Sequence, residues 1–143
     1  MQGEVSDSER IKVIDERVKC AVLHTDGTIT SVVADFHGIQ TIVGGYLECV
    51  DGHFGDDPVQ MWVDEQGYRK GLAINENAMR LADVWPRWRG SVLMGTAVVT
   101  GAVWDEEEGM FLGDLTNDMY EQMCAIIMRT RGNGDATIAR PEK

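Results

Sequence analysis

The stretch that decides the fold runs from residue 64 to residue 84 and reads DEQGYRKGLAINENAMRLADV. Its start predicts the end of a strand, followed by a tight turn at 65–67. Gly67 suits the turn position that needs a positive φ, because it has no Cβ. A second strand is predicted after the turn, and a helix after that strand, because Asn75 is a suitable N-cap and Glu76 a favourable acid in the first turn. The stretch therefore predicts helices that pack on a sheet.

A β-hairpin is predicted upstream of this unit. Apolar residues alternate with others over Val18–Leu23 and again over Thr28–Val33, and an Asp-Gly pair lies between the two runs. Such alternation on both sides of an Asp-Gly pair is typical of two strands joined by a tight turn. Asp35 then opens a short helix, and Gly44 ends it in the left-handed conformation that glycine commonly adopts after a helix.

The next pair of strands is predicted at residues 46–50 and 59–63. Between them, Asp51–Pro58 reads DGHFGDDP. The glycine, aspartate and proline content of this segment predicts an exposed loop. The second of these strands leads into the stretch quoted above.

Downstream, the helix of the opening unit is predicted to end before Pro86. Val92–Thr100 is almost continuously apolar, which predicts a strand that is buried on both faces in the middle of the sheet. Two short apolar runs flank the acidic segment Asp105–Gly109, so a last hairpin with an acidic tip is expected. A terminal helix is predicted over Asn117–Arg129, with Thr116 as its N-cap.

These elements predict a single α+β domain over residues 11–131. We expect a mainly antiparallel sheet of five to seven strands and two or three helices, of which the C-terminal helix is the longest. Residues 1–10 and 132–143 are predicted to be flexible tails, since they are polar and lack a periodic apolar pattern.

The composition excludes several classes of partner. The chain has 143 residues and a formal net charge of −11, which repels nucleic acid and anionic membranes. No apolar run reaches the roughly 18 residues that a membrane span requires. Three cysteines, an odd number without a C-x-x-C pair, predict reduced thiols. A soluble protein of the cytoplasm is therefore expected, with direct nucleic-acid binding and membrane binding disfavoured.

Motifs for catalysis and for cofactors are missing from the sequence. The histidines and cysteines lack the spacing of a metal site, and neither a phosphate-binding glycine loop nor a nucleophile motif occurs. Cys49 lies near His53, but a cysteine that alternates with Leu47 in a strand is typical of a core. Acids such as Asp64 and Glu65 could bind Mg²⁺, which leaves a metal-dependent hydrolase as one alternative. No catalytic residue, metal ligand or cofactor is predicted.

One segment departs from the acidic average because basic and aromatic residues alternate in it. Such residues stack on bases while pairing with phosphates, and they also dominate the centres of protein interfaces. A third interpretation is that the indole rings pack against the sheet and the arginines are solvated. The residues predicted to bind a partner or ligand are Arg69, Lys70, Arg80, Trp85, Arg87, Trp88 and Arg89.

The charged residues of segment 105–121 are all acidic. Opposite charges on this segment and on the aromatic-basic segment would let subunits associate head to tail, so a homo-oligomer is an alternative. An acidic face that imitates nucleic acid toward a DNA-binding protein is a further interpretation.

Four runs carry a resemblance to a known family. They are IQTIVGGYLE at 39–48, VDEQG at 63–67, LAINENA at 72–78 and GTAVVTG at 95–101. In this order, over roughly residues 18–115, they resemble the domain of unknown function 3846, an uncharacterised family of bacteriophages, plasmids and actinobacterial genomes. The resemblance implies a small intracellular α+β protein encoded by a phage or another mobile element, and it assigns no activity to any residue.

The function expected from the sequence is binding without catalysis. We expect an accessory protein of a mobile element that engages a host protein through its aromatic-basic loop. The alternatives are sequestration of a small anionic nucleotide signal and, further, the metal-dependent hydrolase.

Overall fold

The computed structural model describes residues 16–134, and side chains up to residue 130. The predicted tail at 1–10 and residues 135–143 lie outside the described residues. The strands are β1 (Val18–Leu23), β2 (Ile29–Ala34), β3 (Leu47–Phe54), β4 (Asp57–Asp64), β5 (Ala97–Asp105) and β6 (Gly109–Gly113). The helices are α1 (Phe36–Val43), α2 (Gly67–Lys70), α3 (Glu76–Ala82) and α4 (Asn117–Gly134), with a 3₁₀ turn at Pro86–Trp88.

The six strands form one antiparallel sheet, as the sequence predicted. Five strands follow the order β2-β1-β5-β4-β3, and β6 pairs with β5. Val99 of β5 pairs with β1 and β4, whereas Gly101 pairs with β4 and β6. Strands β1 and β6 therefore lie end to end along the same side of β5, which is the central strand.

Helices cover the two faces of the sheet unequally. The larger core cluster joins one face to α3, the 3₁₀ turn and α4, with Met61, Leu81 and Met123 among its fully buried members. The smaller cluster joins the other face to α1 through Ile39 and Val43. The fold is thus a helix–sheet–helix arrangement of the α+β class, in which one helical layer consists of the eight-residue helix α1 alone among the described elements.

Asn75 links three segments of the larger layer. Its side-chain oxygen accepts from the N–H of Ala78 at 3.0 Å, which confirms the predicted N-cap of α3. Its Nδ2 donates to the carbonyl of Leu23 at 2.8 Å and to the carbonyl of Gly95 at 2.9 Å. The side chain is fully buried, so its hydrogen bonds join the start of α3 to the end of β1 and to the entry of β5.

Several local predictions are confirmed. The first hairpin pairs β1 with β2 over Val18–Ala34. Asp35 caps α1 through the N–H of Gly38, and Gly44 follows the helix with a φ of 93°. The acidic hairpin pairs β5 with β6, and Thr116 caps α4 through the N–H of Met119 at 3.2 Å.

Other predictions about local structure are wrong. Most of the predicted loop Asp51–Pro58 is strand, because β3 and β4 pair as far as Phe54 and Asp57. The predicted strand after the turn at 65–67 is the single-turn helix α2, followed by only an isolated bridge at Ile74. Gly67 has no positive φ; it is needed because a Cβ there would lie 2.7 Å from the carbonyl oxygen of Met94.

The boundaries at the C-terminal side also differ from prediction. Strand β5 begins at Ala97 instead of Val92, since the chain first turns at Gly95 with a φ of 93°. Helix α4 continues to Gly134, beyond the end that the sequence predicted at Arg129.

We predict that Asn75→Ala lowers the free energy of unfolding by about 3 kcal/mol. The substitution removes an N-cap and leaves two buried carbonyl groups without their donors. Urea denaturation of the full chain measures the change. Thr116→Ala is the matched control, because it removes a cap that accepts from the N–H of Met119 and should cost about 1 kcal/mol. Equal losses for the two variants would contradict the linking role of Asn75.

Candidate functional site

Trp85, one of the predicted binding residues, is a core residue. Its side chain is 3% exposed, and its Nε1 donates to the carbonyl of His53 at 3.0 Å. A Cβ on Gly52 would overlap the indole ring, so this glycine makes room for it. The ring also packs against Phe54, with 6.0 Å between the centroids. The prediction that Trp85 offers a binding surface is therefore wrong.

Trp88 and Arg87 lie beside β3, which is the edge strand on this side of the sheet. The Trp88 Nε1 donates to Oδ1 of Asp51 at 3.2 Å, and Nη1 of Arg87 lies 3.9 Å from the same oxygen. The Arg87 guanidinium lies 5.1 Å from the centre of the Trp88 ring, within the range of a cation–π contact. The 3₁₀ turn thus covers an edge whose unpaired backbone groups would otherwise invite another strand.

The other predicted basic residues do not join this group. Lys70 pairs with Asp64, Arg80 lies 3.5 Å from Glu76, and Arg89 donates to the carbonyl of Asp83 at 3.2 Å. Arg69 is exposed on α2. The structure therefore places Lys70, Arg80, Arg87 and Arg89 against different acceptors instead of around one ligand.

The ion pair of Asp64 and Lys70 is an internal contact. Nζ of Lys70 lies 2.6 Å from Oδ2 of Asp64, whose side chain is 1% exposed, and 3.3 Å from the carbonyl oxygen of Gly44. Burial raises the pKa of the Asp64 carboxyl, but the hydrogen bonds from Lys70 and Gln66 and the lysine charge outweigh burial and hold the pKa below its usual value. Lys70 therefore stabilises the end of β4.

We predict that Asp64→Asn removes a pH-dependent part of the stability. A carboxyl whose pKa is lower in the folded state stabilises the fold above the unfolded pKa of about 3.9, and this contribution is lost as pH falls through the folded pKa. At neutral pH the variant should lose about 2 kcal/mol, and the difference from the parent chain should close as pH falls below the lowered pKa of Asp64. Urea denaturation across this pH range measures it, with the exposed neighbour Glu65→Gln as control. A pH-independent difference would contradict the assignment.

A surface that the sequence did not predict lies on the α1 side of the sheet. Trp62 packs in the cluster under α1, and Gln60, two residues away on β4, points to the same side. Directly paired residues share a face, so Asp51 and Thr100, which pair with Gln60, lie there too. We call this region, from β3 to β6 beyond the cover of α1, the open face. The open face comprises Asp51, Gln60, Trp62, Thr100, Ala102, Trp104, Met110 and Leu112, with Phe36 at its border.

The open face contains an apolar groove of about 290 Å³. Phe36 and Trp62 meet edge to face in it, with ring centroids 5.5 Å apart, and the Trp62 Nε1 donates to the hydroxyl of Thr100 at 3.2 Å. The indole N–H of Trp62 therefore has its hydrogen-bond acceptor inside the protein, and the groove presents mainly ring and aliphatic atoms to the solvent. The residues that line the groove are Phe36, Gln60, Trp62, Met110, Phe111 and Leu112.

Apolar exposure continues from the groove along the last hairpin. Trp104 and Met110 form a cross-strand pair and are 62% and 45% exposed. The sequence did predict that Trp104 and Met110 lie on either side of the acidic tip of a hairpin. Sequence alone did not separate them from core residues of the same type. Arg87 and Trp88 contact Asp51 of the open face, so part of the predicted aromatic-basic segment reaches its β3 side.

Residues 16–134 contain no group of three or more His, Cys, Asp or Glu side chains that could hold a metal ion. Burial, followed by the charge of Asp51, raises the pKa of Cys49 to about 11, and burial raises the pKa of Cys20 to about 11. Both thiols are therefore protonated at neutral pH, and they are poor nucleophiles. His53 contacts the carbonyl of Gly55 at 3.0 Å.

The fold and the open face define an α+β protein with a rigid sheet that presents apolar and aromatic side chains. The chain belongs to the family described as domain of unknown function (DUF3846), whose sequence model matches residues 12–125. This match confirms the resemblance seen in the sequence. Comparisons with curated proteins and with solved structures found no match. In the part of the chain that the structure describes, no helix has the length and apolar character needed to cross a membrane.

Proposed function

We propose that this protein binds another protein through the open face and performs no catalysis. The observation that carries the proposal is the exposure of Trp104 and Met110 beside the apolar groove. Aromatic residues, methionine and arginine are enriched where proteins bind one another, and charged residues are depleted at the centres of such surfaces. Aromatic residues and a methionine line the groove, and Arg87 and Trp88 contact Asp51 on the β3 side of the open face.

The scaffold suits such a role. The open face is built on β4, β5 and β6, so its side chains are held by the hydrogen-bond ladders of the central part of the sheet. A rigid surface loses little conformational entropy on binding. A loop of five arginines and lysines, the surface expected from the sequence, would lose more, and here most of those side chains already bond to their own chain.

The biological setting belongs to the proposal as well. Resemblance to a family of phages, plasmids and actinobacterial genomes supports an accessory protein of a mobile element that acts in the cytoplasm of a bacterial host. The partner is then a host protein. The net charge of −11 favours a partner with a basic surface over nucleic acid.

Neither alternative from the sequence gains support from the geometry. Sequestration of an anionic nucleotide requires convergent cations, but Lys70, Arg80 and Arg87 pair with Asp64, Glu76 and Asp51. A hydrolase that uses Asp64 requires a carboxylate open to a metal ion, and Asp64 is buried against Lys70.

We predict that a photo-reactive benzoylphenylalanine at position 110 cross-links a host protein in living cells. The same residue at position 68 is the control, because Tyr68 is 83% exposed but lies beyond the opposite end of β4. Mass spectrometry identifies the cross-linked proteins. A host protein attached at 110, and not at 68, that is lost in Trp104→Ala is the expected result. Equal attachment at both positions, attachment only to a second copy of this chain, or no attachment at 110 would contradict the proposal.

A further inference from the structure

The apolar groove opens toward an end of the molecule where acidic side chains collect. The Trp104–Met110 pair lies one residue pair away from the β5–β6 turn, next to the last pair of the hairpin, Asp105 and Gly109. The β3–β4 turn projects from the same end, because β4 is antiparallel to β5 and Val59, near the start of β4, pairs with Gly101 at the middle of β5. The exposed acids in these two turns include Asp56, Asp57, Glu106 and Glu107.

Basic residues are missing from these two turns. Segments 54–58 and 104–118 contain neither lysine nor arginine. The apolar groove and the acidic turns are thus contiguous, because the acidic turn begins within two residues of Trp104.

The helical layer on this side is incomplete, which indicates the shape of the missing element. Sheets bury an apolar face against helices, and α1 does so beside the groove. From Val98, the partner of Trp62, to Asp105 the strand β5 spans roughly 24 Å. A helix of about 16 residues would lie along that distance.

Building on the proposed function, we infer that the partner presents a basic amphipathic helix to the open face. Its apolar side packs on Trp62, Leu112 and Met110, beside α1. Lysine or arginine side chains at its end meet the acidic turns. The structure thereby assigns charge complementarity to the rim and apolar contact to the centre, the usual division of roles in protein interfaces.

Two synthetic peptides of about 18 residues test the inference on the full chain. One places leucine at helical spacing with lysine elsewhere, and the second has the same leucine positions with glutamate instead of lysine. A third peptide, with the leucines and lysines of the first in scrambled order, controls for attraction by net charge alone. Titration calorimetry gives the affinity, and amide chemical shifts give the binding surface.

We predict that the leucine–lysine helix binds and shifts the amides of Trp62, Thr100, Trp104 and Met110. Glu106→Gln plus Glu107→Gln should weaken its affinity about fivefold, as expected for the loss of two exposed ion pairs. Glu65→Gln plus Glu121→Gln, which changes the net charge equally at exposed positions elsewhere, should weaken it less than about twofold. Trp104→Ser should weaken it with the acidic turns intact.

Several results would overturn the inference. They are no binding, equal binding of the scrambled or the glutamate peptide, and shifts confined to other surfaces. If residues outside 16–134 cover the open face, the peptide will also fail to bind, and the face is then occupied by a segment of its own chain. If the lysine peptide fails while the cross-link at position 110 still captures a host protein, the basic helix is wrong and the binding face stands. If both fail, the proposed function falls with it.

Discussion

An eight-residue helix cannot cover one face of a six-stranded sheet, and the surface of this protein follows from that constraint. Helix α1 is about 12 Å long, whereas five adjacent strands span about 19 Å and each long strand about 26 Å. Asp35 caps the helix directly after β2, and Gly44 ends it with a left-handed backbone. The sheet beyond its end keeps the aromatic and aliphatic side chains of a covered face, although no helix among the described residues covers them.

Sequence predicted the elements that depend on local signals. The hairpin of β1 and β2 has an Asp-Gly turn, and the caps at Asp35, Asn75 and Thr116 each bond to the first turn of their own helix. The predictions were wrong where a contact between residues distant in the sequence determines the local structure. The segment after Asp51 has the composition of a loop, yet it is a strand because Gly52 lies under the ring of Trp85, more than thirty residues later in the chain.

The candidate site shows the same limit. Trp85, Trp88 and Trp104 each have a charged residue within two positions in the sequence, but they have three different roles: a core residue, a cover for a sheet edge, and an exposed surface group. Their roles depend on strand order and on the length of α1, which no local pattern encodes. The predicted cations differ from expectation for a related reason. Lys70, Arg80, Arg87 and Arg89 each contact an acceptor of their own chain, as Lys70 does with Asp64.

The central claim is that the chain leaves the open face uncovered. Methyl resonances of methionine in the full chain test it, with a soluble gadolinium chelate as relaxation agent. Met128, 61% exposed, serves as the accessible reference, and the fully buried Met61 and Met123 as protected references. The account predicts that the Met110 methyl broadens nearly as strongly as that of Met128. A Met110 methyl as protected as that of Met61 would show that the chain covers its own face, and it would contradict the account.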